Sequence, residues 1–171
     1  AHPCRSAGVS VLADSWQRAA LALRLLALDP EGLRGAVIRM RSGSDRAAVT
    51  GALPLKTRRI HPNISDEQLY GGLDLSATLK SGHIIDSKGL FSKSGMVTLA
   101  MAERCGADLA AKLALQLDAD PDFGLIALDE GAEPDEATPP ALSERLAFCI
   151  EPIGRMPPDW PSVPAGTTSI A

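Results

Sequence analysis

Gly35-Ala36-Val37-Ile38-Arg39-Met40-Arg41-Ser42-Gly43-Ser44-Asp45-Arg46 is the stretch on which the fold turns. Gly35 to Met40 is a short apolar run with the length of a buried strand. Arg41-Ser42-Gly43-Ser44 is a polar, glycine-bearing turn. Asp45 to Leu53 then reads as a short helix that Pro54 ends. Strand, tight turn and helix in this order open many parallel α/β sheets. Further strands are expected at Thr57 to Ile60, Met96 to Ala100, Phe123 to Leu128 and Ala147 to Ile150. Between them, Ser65-Asp66-Glu67-Gln68 has the form of a helix start with an acidic first turn. Gly71-Gly72 interrupts that helix, and Asp74 to Leu79 reads as another helical turn or two. His83 to Leu90 looks like a small hairpin bounded by Gly82 and Gly89. Ala107 to Leu117 is a helix rich in alanine and leucine, and Leu142 to Leu146 a short one after Pro139-Pro140. Strands alternating with helices favour a parallel sheet covered on both faces.

Upstream, Trp16, Ala20, Leu23 and Ala27 recur at helical steps, with Asp14 or Ser15 able to cap the start and Asp29-Pro30-Glu31-Gly32 stopping it. Residues 1–14 are expected to be a flexible lead-in and residues 15–152 an α/β domain. Residues 153–171, which carry Pro157, Pro158, Pro161 and Pro164, are expected to form a proline-rich tail or linker start, with Trp160 able to anchor it in a groove.

Composition limits the functions open to the chain. Its 171 residues suffice for one domain, and no apolar run approaches the ~20 residues of a membrane span. The first fifteen residues lack the pattern of a secretory signal, so the cytoplasm is the expected location. A net charge of -4 argues against a nucleic-acid binder. The cluster Lys56, Arg58, Arg59 reads as a solvated strand edge. Cys4, Cys105 and Cys149 form no CxxC pair, so no metal site is expected, and such scattered thiols are usually buried apolar filler.

The turn after the first strand is a natural phosphate seat, because helix N-termini present free N–H groups. A working P-loop would read GxxxxGK[ST] there. Gly43, Ser44, Asp45 and Arg46 occupy the position without the lysine, and Asp45 adds a negative charge. A nucleotide hydrolase usually ends its third strand in Asp-Glu, for magnesium and the attacking water. This chain has Ala102-Glu103, with one acid only. The fourth strand ends in Asp129-Glu130, where polar groups face the ligand crevice of open α/β sheets. Arg145, on a short helix before the last strand, is of the type that stabilises transition-state charge in a neighbour's site. On the residues alone, each of these also reads as an ordinary turn, surface acid or ion pair.

Several blocks together resemble the magnesium chelatase D subunit family. They are Trp16 with Leu25-Leu26-Ala27-Leu28-Asp29-Pro30, the run Asp66 to Leu79 centred on Gly71-Gly72-Leu73-Asp74-Leu75, Gly89-Leu90-Phe91, Ala100 to Arg104, Ala127-Leu128-Asp129-Glu130-Gly131, and Pro140 to Phe148. The match is collinear over about residues 15 to 152.

The resemblance implies an AAA+ P-loop NTPase-like fold with a five-stranded parallel sheet of order 5-1-4-3-2. It implies a platform subunit, without hydrolysis of its own, in a hexameric ring that stacks with the ATPase I subunit and serves the porphyrin-binding H subunit. ATP and Mg²⁺ then serve a complex that inserts Mg²⁺ into protoporphyrin IX for chlorophyll or bacteriochlorophyll biosynthesis. On the family's pattern Arg145 falls at the arginine-finger position, acting in trans. Glu103 is what remains of the acidic pair, and Asp129 lies where active relatives carry a sensor asparagine. Gly43, Ser44, Asp45 and Arg46 form the altered phosphate turn. Two alternatives stay open: an AAA+-like scaffold or MoxR-type chaperone partner outside pigment synthesis, and an active ATPase with an unusual loop.

Overall fold

A computed structural model of the chain describes residues 10–53 and 55–161, with side chains from Ser15 onward. The five expected strands form: β1 (Gly35–Arg39), β2 (Thr57–Ile60), β5 (Gly95–Leu99), β6 (Phe123–Asp129) and β7 (Phe148–Ile150), with β3 and β4 in an insertion described below. They form one sheet in the order β2-β5-β6-β1-β7, and every pairing is parallel. Counted among themselves, these five strands stand in the order 5-1-4-3-2, as the resemblance implies. The central strand β6 is buried along all seven residues, which is why it reads as continuously apolar rather than alternating.

Alternation within each strand sends side chains to two cores. On one face Ile38, Met96, Ile126 and Leu128 meet Trp16, Leu23 and Leu26 of α1 (Ser10–Leu28) and Val49 of α3 (Ser44–Gly51). On the other, Val37, Val97, Leu99, Leu125 and Ala127 meet Leu109, Leu113 and Leu117 of α6 (Ala107–Ala119), Leu69 of α4 (Asp66–Tyr70) and Leu142 of α7 (Pro140–Ser143). Leu113 is fully enclosed, so its truncation to alanine would cost about 2–5 kcal/mol.

The capping signals read from sequence hold at α4. Gln68 N donates to Ser65 Oγ at 3.3 Å, and Ser65 N donates to Gln68 Oε1 at 3.0 Å. Gly71 then takes φ +85°, and a Cβ there would collide with the Ser87 carbonyl. This glycine lets β3 (Gly71–Leu73) pair antiparallel with β4 (Asp86–Lys88).

Four expectations need correcting. The first helix begins at Ser10, not near Trp16, so Asp14 and Ser15 lie inside α1 and residues 10–14 do not form a loose lead-in. Val11-Leu12-Ala13 contains nothing that breaks a helix. Asp29-Pro30-Glu31-Gly32 ends α1 but also starts one more turn, α2 (Pro30–Leu33), because Asp29 accepts from Gly32 N at 2.8 Å and proline suits a helix start. The hairpin expected within His83 to Leu90 is instead the β3–β4 pair, with α5 (Leu75–Ser81) between its strands. The expected tail is packed at least to Trp160, whose Nε1 donates to the Trp16 carbonyl at 2.8 Å. The two indole rings meet edge to face with centroids 5.5 Å apart. Residues 162–171 of that tail lie outside the described residues. Among the described residues, no helix is long and apolar enough to cross a membrane.

Candidate nucleotide site

Parallel strands bring the loops that follow β1, β5 and β6 together along one edge of the sheet. After β5 the chain turns sharply at Met101, which takes φ +48°. Ala102 is thereby buried and Glu103 is directed toward the loop after β6. Glu103 Oε2 accepts from Glu130 N at 3.0 Å. The Glu130 carboxylate pairs with the Arg46 guanidinium, and Arg46 Nη2 donates to Ser42 Oγ at 3.0 Å. A chain of contacts, Glu103 to Glu130 to Arg46 to Ser42, thus closes the three loops on one another.

Gly43 begins α3 without a side-chain cap, so the first N–H groups of α3 keep the open character of a phosphate seat. Ser44 Oγ lies 3.5 Å from Asp45 Oδ1. The strongest cation of the turn, Arg46, is only 12% exposed and is held by a carboxylate of the same chain.

Asp129 sits beneath these groups and is fully buried. Its Oδ2 accepts from Thr138 N at 2.7 Å and from Thr138 Oγ1 at 2.9 Å, while Oδ1 accepts from Gly131 N at 2.9 Å. Beside it, Arg39 Nη2 donates to the carbonyls of Gly131, Glu133 and Glu136, each at 3.1 Å. Arg39 Nη1 lies 3.8 Å from Asp129 Oδ2. Gly131 is required where it stands, because a Cβ would strike the Glu136 carbonyl. Asp129 therefore clasps the loop of residues 130–138. Sequence reasoning missed Arg39 and Thr138; the signal for Arg39 was a lone cation ending an apolar strand.

Arg145 lies elsewhere. Its Nε and Nη2 grip both oxygens of Asp118 at 2.8 Å each, and Nη1 donates to the Ala141 carbonyl at 2.8 Å. The paired guanidinium holds the Asp118 carboxyl below its usual range, and Asp118 in turn raises Arg145. Arg34, just before β1, donates to the carbonyls of Leu117 and Asp120 at the end of α6. Arg145 thus stands at the opposite edge of the sheet from the phosphate turn. Gly43, Ser44, Asp45, Arg46, Glu103 and the Asp129–Glu130 loop are brought together, and Arg145 is not among them.

The basic cluster Lys56, Arg58, Arg59, expected as a solvated edge, divides. Lys56, just before the edge strand β2, and Arg59 on it are exposed, whereas Arg58 donates to the Leu90 and Lys93 carbonyls. Cys105 is buried filler as expected, and burial pushes its thiol up to about 11. Cys149 is exposed, against expectation, because β7 is an edge strand with one open face. Cys4 lies outside the described residues.

The residues present do not fit a magnesium triphosphate poised for cleavage. The turn itself carries no lysine, and Arg46 is paired with Glu130. Both Asp129 oxygens are occupied, and Glu103 holds a backbone N–H. Among the described residues, no cluster of His, Cys, Asp or Glu could hold a metal.

A parallel sheet ordered 5-1-4-3-2, with a phosphate-type turn after its first strand and acidic loops after its third and fourth, defines an AAA+-type module. A solved structure of a candidate ATPase from Cytophaga hutchinsonii has the same fold, with a TM-score of 0.55 and 17% identity over 82% of this chain and 49% of that one. No protein-family model matches the chain. It is 50% identical over 139 residues, 80% of its length, to the magnesium-chelatase 60 kDa subunit of Cereibacter sphaeroides. It is 44% identical over 140 residues, 79% of its length, to that of Rhodobacter capsulatus. The chain is a homologue of these 60 kDa subunits, the D-subunit family that its sequence blocks resemble. It spans 25% of the length of each.

Proposed function

We propose that the chain is the AAA+ module of a magnesium chelatase platform subunit that does not hydrolyse ATP by itself. In this reading it assembles as a ring, a hexamer, with the ATPase I subunit. With the porphyrin-binding H subunit, the complex inserts Mg²⁺ into protoporphyrin IX at the expense of ATP. The similarity to the 60 kDa subunits supports the chelatase role. The observation that carries the non-hydrolysing part is the Arg46–Glu130 pair. A carboxylate of the protein answers the cation that a phosphate would need, and nothing replaces the P-loop lysine. Loss of such electrostatic stabilisation lowers turnover about tenfold for every ~1.4 kcal/mol of barrier.

Arg145 fits a role in trans, because it stands too far round the sheet to serve its own phosphate turn. Asp118 would hold it ready and release it to a nucleotide on an adjoining subunit. The test is reconstitution of the full-length subunit with its I and H partners, following ATP use and magnesium-porphyrin absorbance. Arg145→Ala should depress both while ring assembly, followed by mass, persists. Unchanged ATP use and chelation would remove the finger. A wild-type subunit that supports no chelation with any I and H pair would remove the chelatase reading itself.

A further inference from the structure

The β3–α5–β4 insertion carries large apolar side chains that neither core uses. Leu73, Leu75, Leu79, Ile84 and Ile85 are all exposed, Leu79 at 76% and Ile84 at 81%. Exposed apolar residues scattered singly are ordinary, but several large ones gathered on one element mark an interaction surface. These are held together as one shape. Asp74 N donates to the Ile85 carbonyl at 2.7 Å, and Ile85 N donates to Thr78 Oγ1 at 3.0 Å, so α5 and the approach to β4 are strapped to each other.

The insertion is rooted at the edge of the sheet opposite the phosphate turn. Phe91, just after β4, meets Tyr70 and Phe123 edge to face, with centroids 5.4 and 5.7 Å apart, and Phe123 is the first residue of β6. Ser94 Oγ, just before β5, donates to Asp120 Oδ2 at 2.7 Å. The turn of residues 79–85 adds Lys80 and His83 to its apolar side chains and contains no acid. At the other edge of the sheet, the loop of residues 130–138 has the complementary character. It exposes Glu133, Asp135 and Glu136 among Ala132, Pro134 and Ala137, and it contains no basic residue. Asp129 and Arg39 already fix that loop, so a partner would not have to order it. Opposite charge around matching apolar groups gives such a contact its orientation. Two unlike surfaces on opposite edges of one molecule form a heterologous contact, which repeats from copy to copy.

We infer that the insertion docks on a second copy of this chain, with Leu79, Ile84 and Lys80 seated against the partner copy's loop of residues 130–138. The inference names a surface for the ring proposed above and rests on that reading for closure of the ring alone. Sedimentation velocity of the whole chain over a concentration series tests it, and self-association is expected. Leu79→Asp combined with Ile84→Asp should weaken it about tenfold or more, as should Glu133→Lys combined with Asp135→Lys. All four side chains are exposed, so both variants should keep the wild-type circular dichroism. Mixed together, the two variants offer one intact insertion and one intact loop, and they should form dimers and nothing larger. A wild-type chain that stays monomeric at every concentration would overturn the contact and leave the chelatase reading, which reconstitution tests, standing. Assembly that neither variant weakens, or that only the insertion variant weakens, would also overturn it, the latter by showing insertion paired with insertion. So would a monomer whose insertion binds phosphatidylserine vesicles instead.

Discussion

Replacing Asp129 by asparagine separates a structural carboxylate from a ligand-facing one. The wild-type carboxylate accepts three hydrogen bonds, two from Thr138 and one from Gly131, in a fully buried position. An asparagine can present its oxygen to Thr138 and keep two of them, now as neutral bonds. Its NH₂ then faces the Gly131 N–H, donor against donor. An unsatisfied buried donor costs about 1–3 kcal/mol, and converting charge-assisted bonds to neutral ones about 1 kcal/mol more. The asparagine also loses the negative charge opposite Arg39. The expected loss is therefore about 3 kcal/mol. For a chain of this size that lowers Tm by roughly 6–12 °C. Asp129→Ala loses all three bonds and leaves Arg39 without its buried counter-charge, for about 3–5 kcal/mol. Thr138→Val loses the hydroxyl donor alone, for about 1 kcal/mol. Urea unfolding followed by circular dichroism, with the m-value checked for constancy, reads all three. Asp129→Asn stability within about 1 kcal/mol of wild type, or Thr138→Val costing as much as Asp129→Ala, would refute the clasp.

Three further outcomes are expected. Glu130→Gln frees Arg46, so inorganic phosphate and ATP should bind the variant about tenfold or more tightly than wild type by calorimetry; equal affinity would show that Glu130 does not block the seat. Trp160→Ala should cost about 2 kcal/mol and shift the fluorescence of Trp16 to longer wavelength, since the edge-to-face contact shields that ring; an unshifted spectrum would place Trp160 elsewhere. The Cys105 thiol, raised from 9.0 to about 11 by burial, stays protonated in the folded chain after the unfolded chain has ionised. Its contribution is therefore complete below pH 9 and falls as pH rises from 9 toward 11, a decline that Cys105→Ala should remove from the stability–pH curve.

Local signals carried most of the fold. Strand β1 lies where the short apolar run from Gly35 placed it, and α4 begins at the Ser65–Gln68 capping box. The insertion was less legible because β3 and β4 have three residues each, too few to show a period of two, and α5 stands between them. The site divided in the same way. The phosphate turn could be read as lacking a lysine, because that is a property of one segment. The pairing of Arg46 with Glu130 could not, because 84 residues separate them. Asp129 looked like a ligand-facing group because strand ends usually point into the crevice. Its real partners, Thr138 and Gly131, follow from how the next loop folds back, which neither periodicity nor motif encodes. Arg145 gave the opposite lesson: Glu144 was the sequence neighbour at hand, yet the bidentate partner is Asp118 on α6.

ATP turnover by the purified chain, without any other subunit, bears most directly on the claim that its phosphate seat is filled from within. Release of phosphate at the no-enzyme background is expected, and it should stay there in Glu130→Gln, which regains binding but gains no lysine and no second acid. Sustained turnover by the wild-type chain, abolished by Arg46→Ala, would contradict the account.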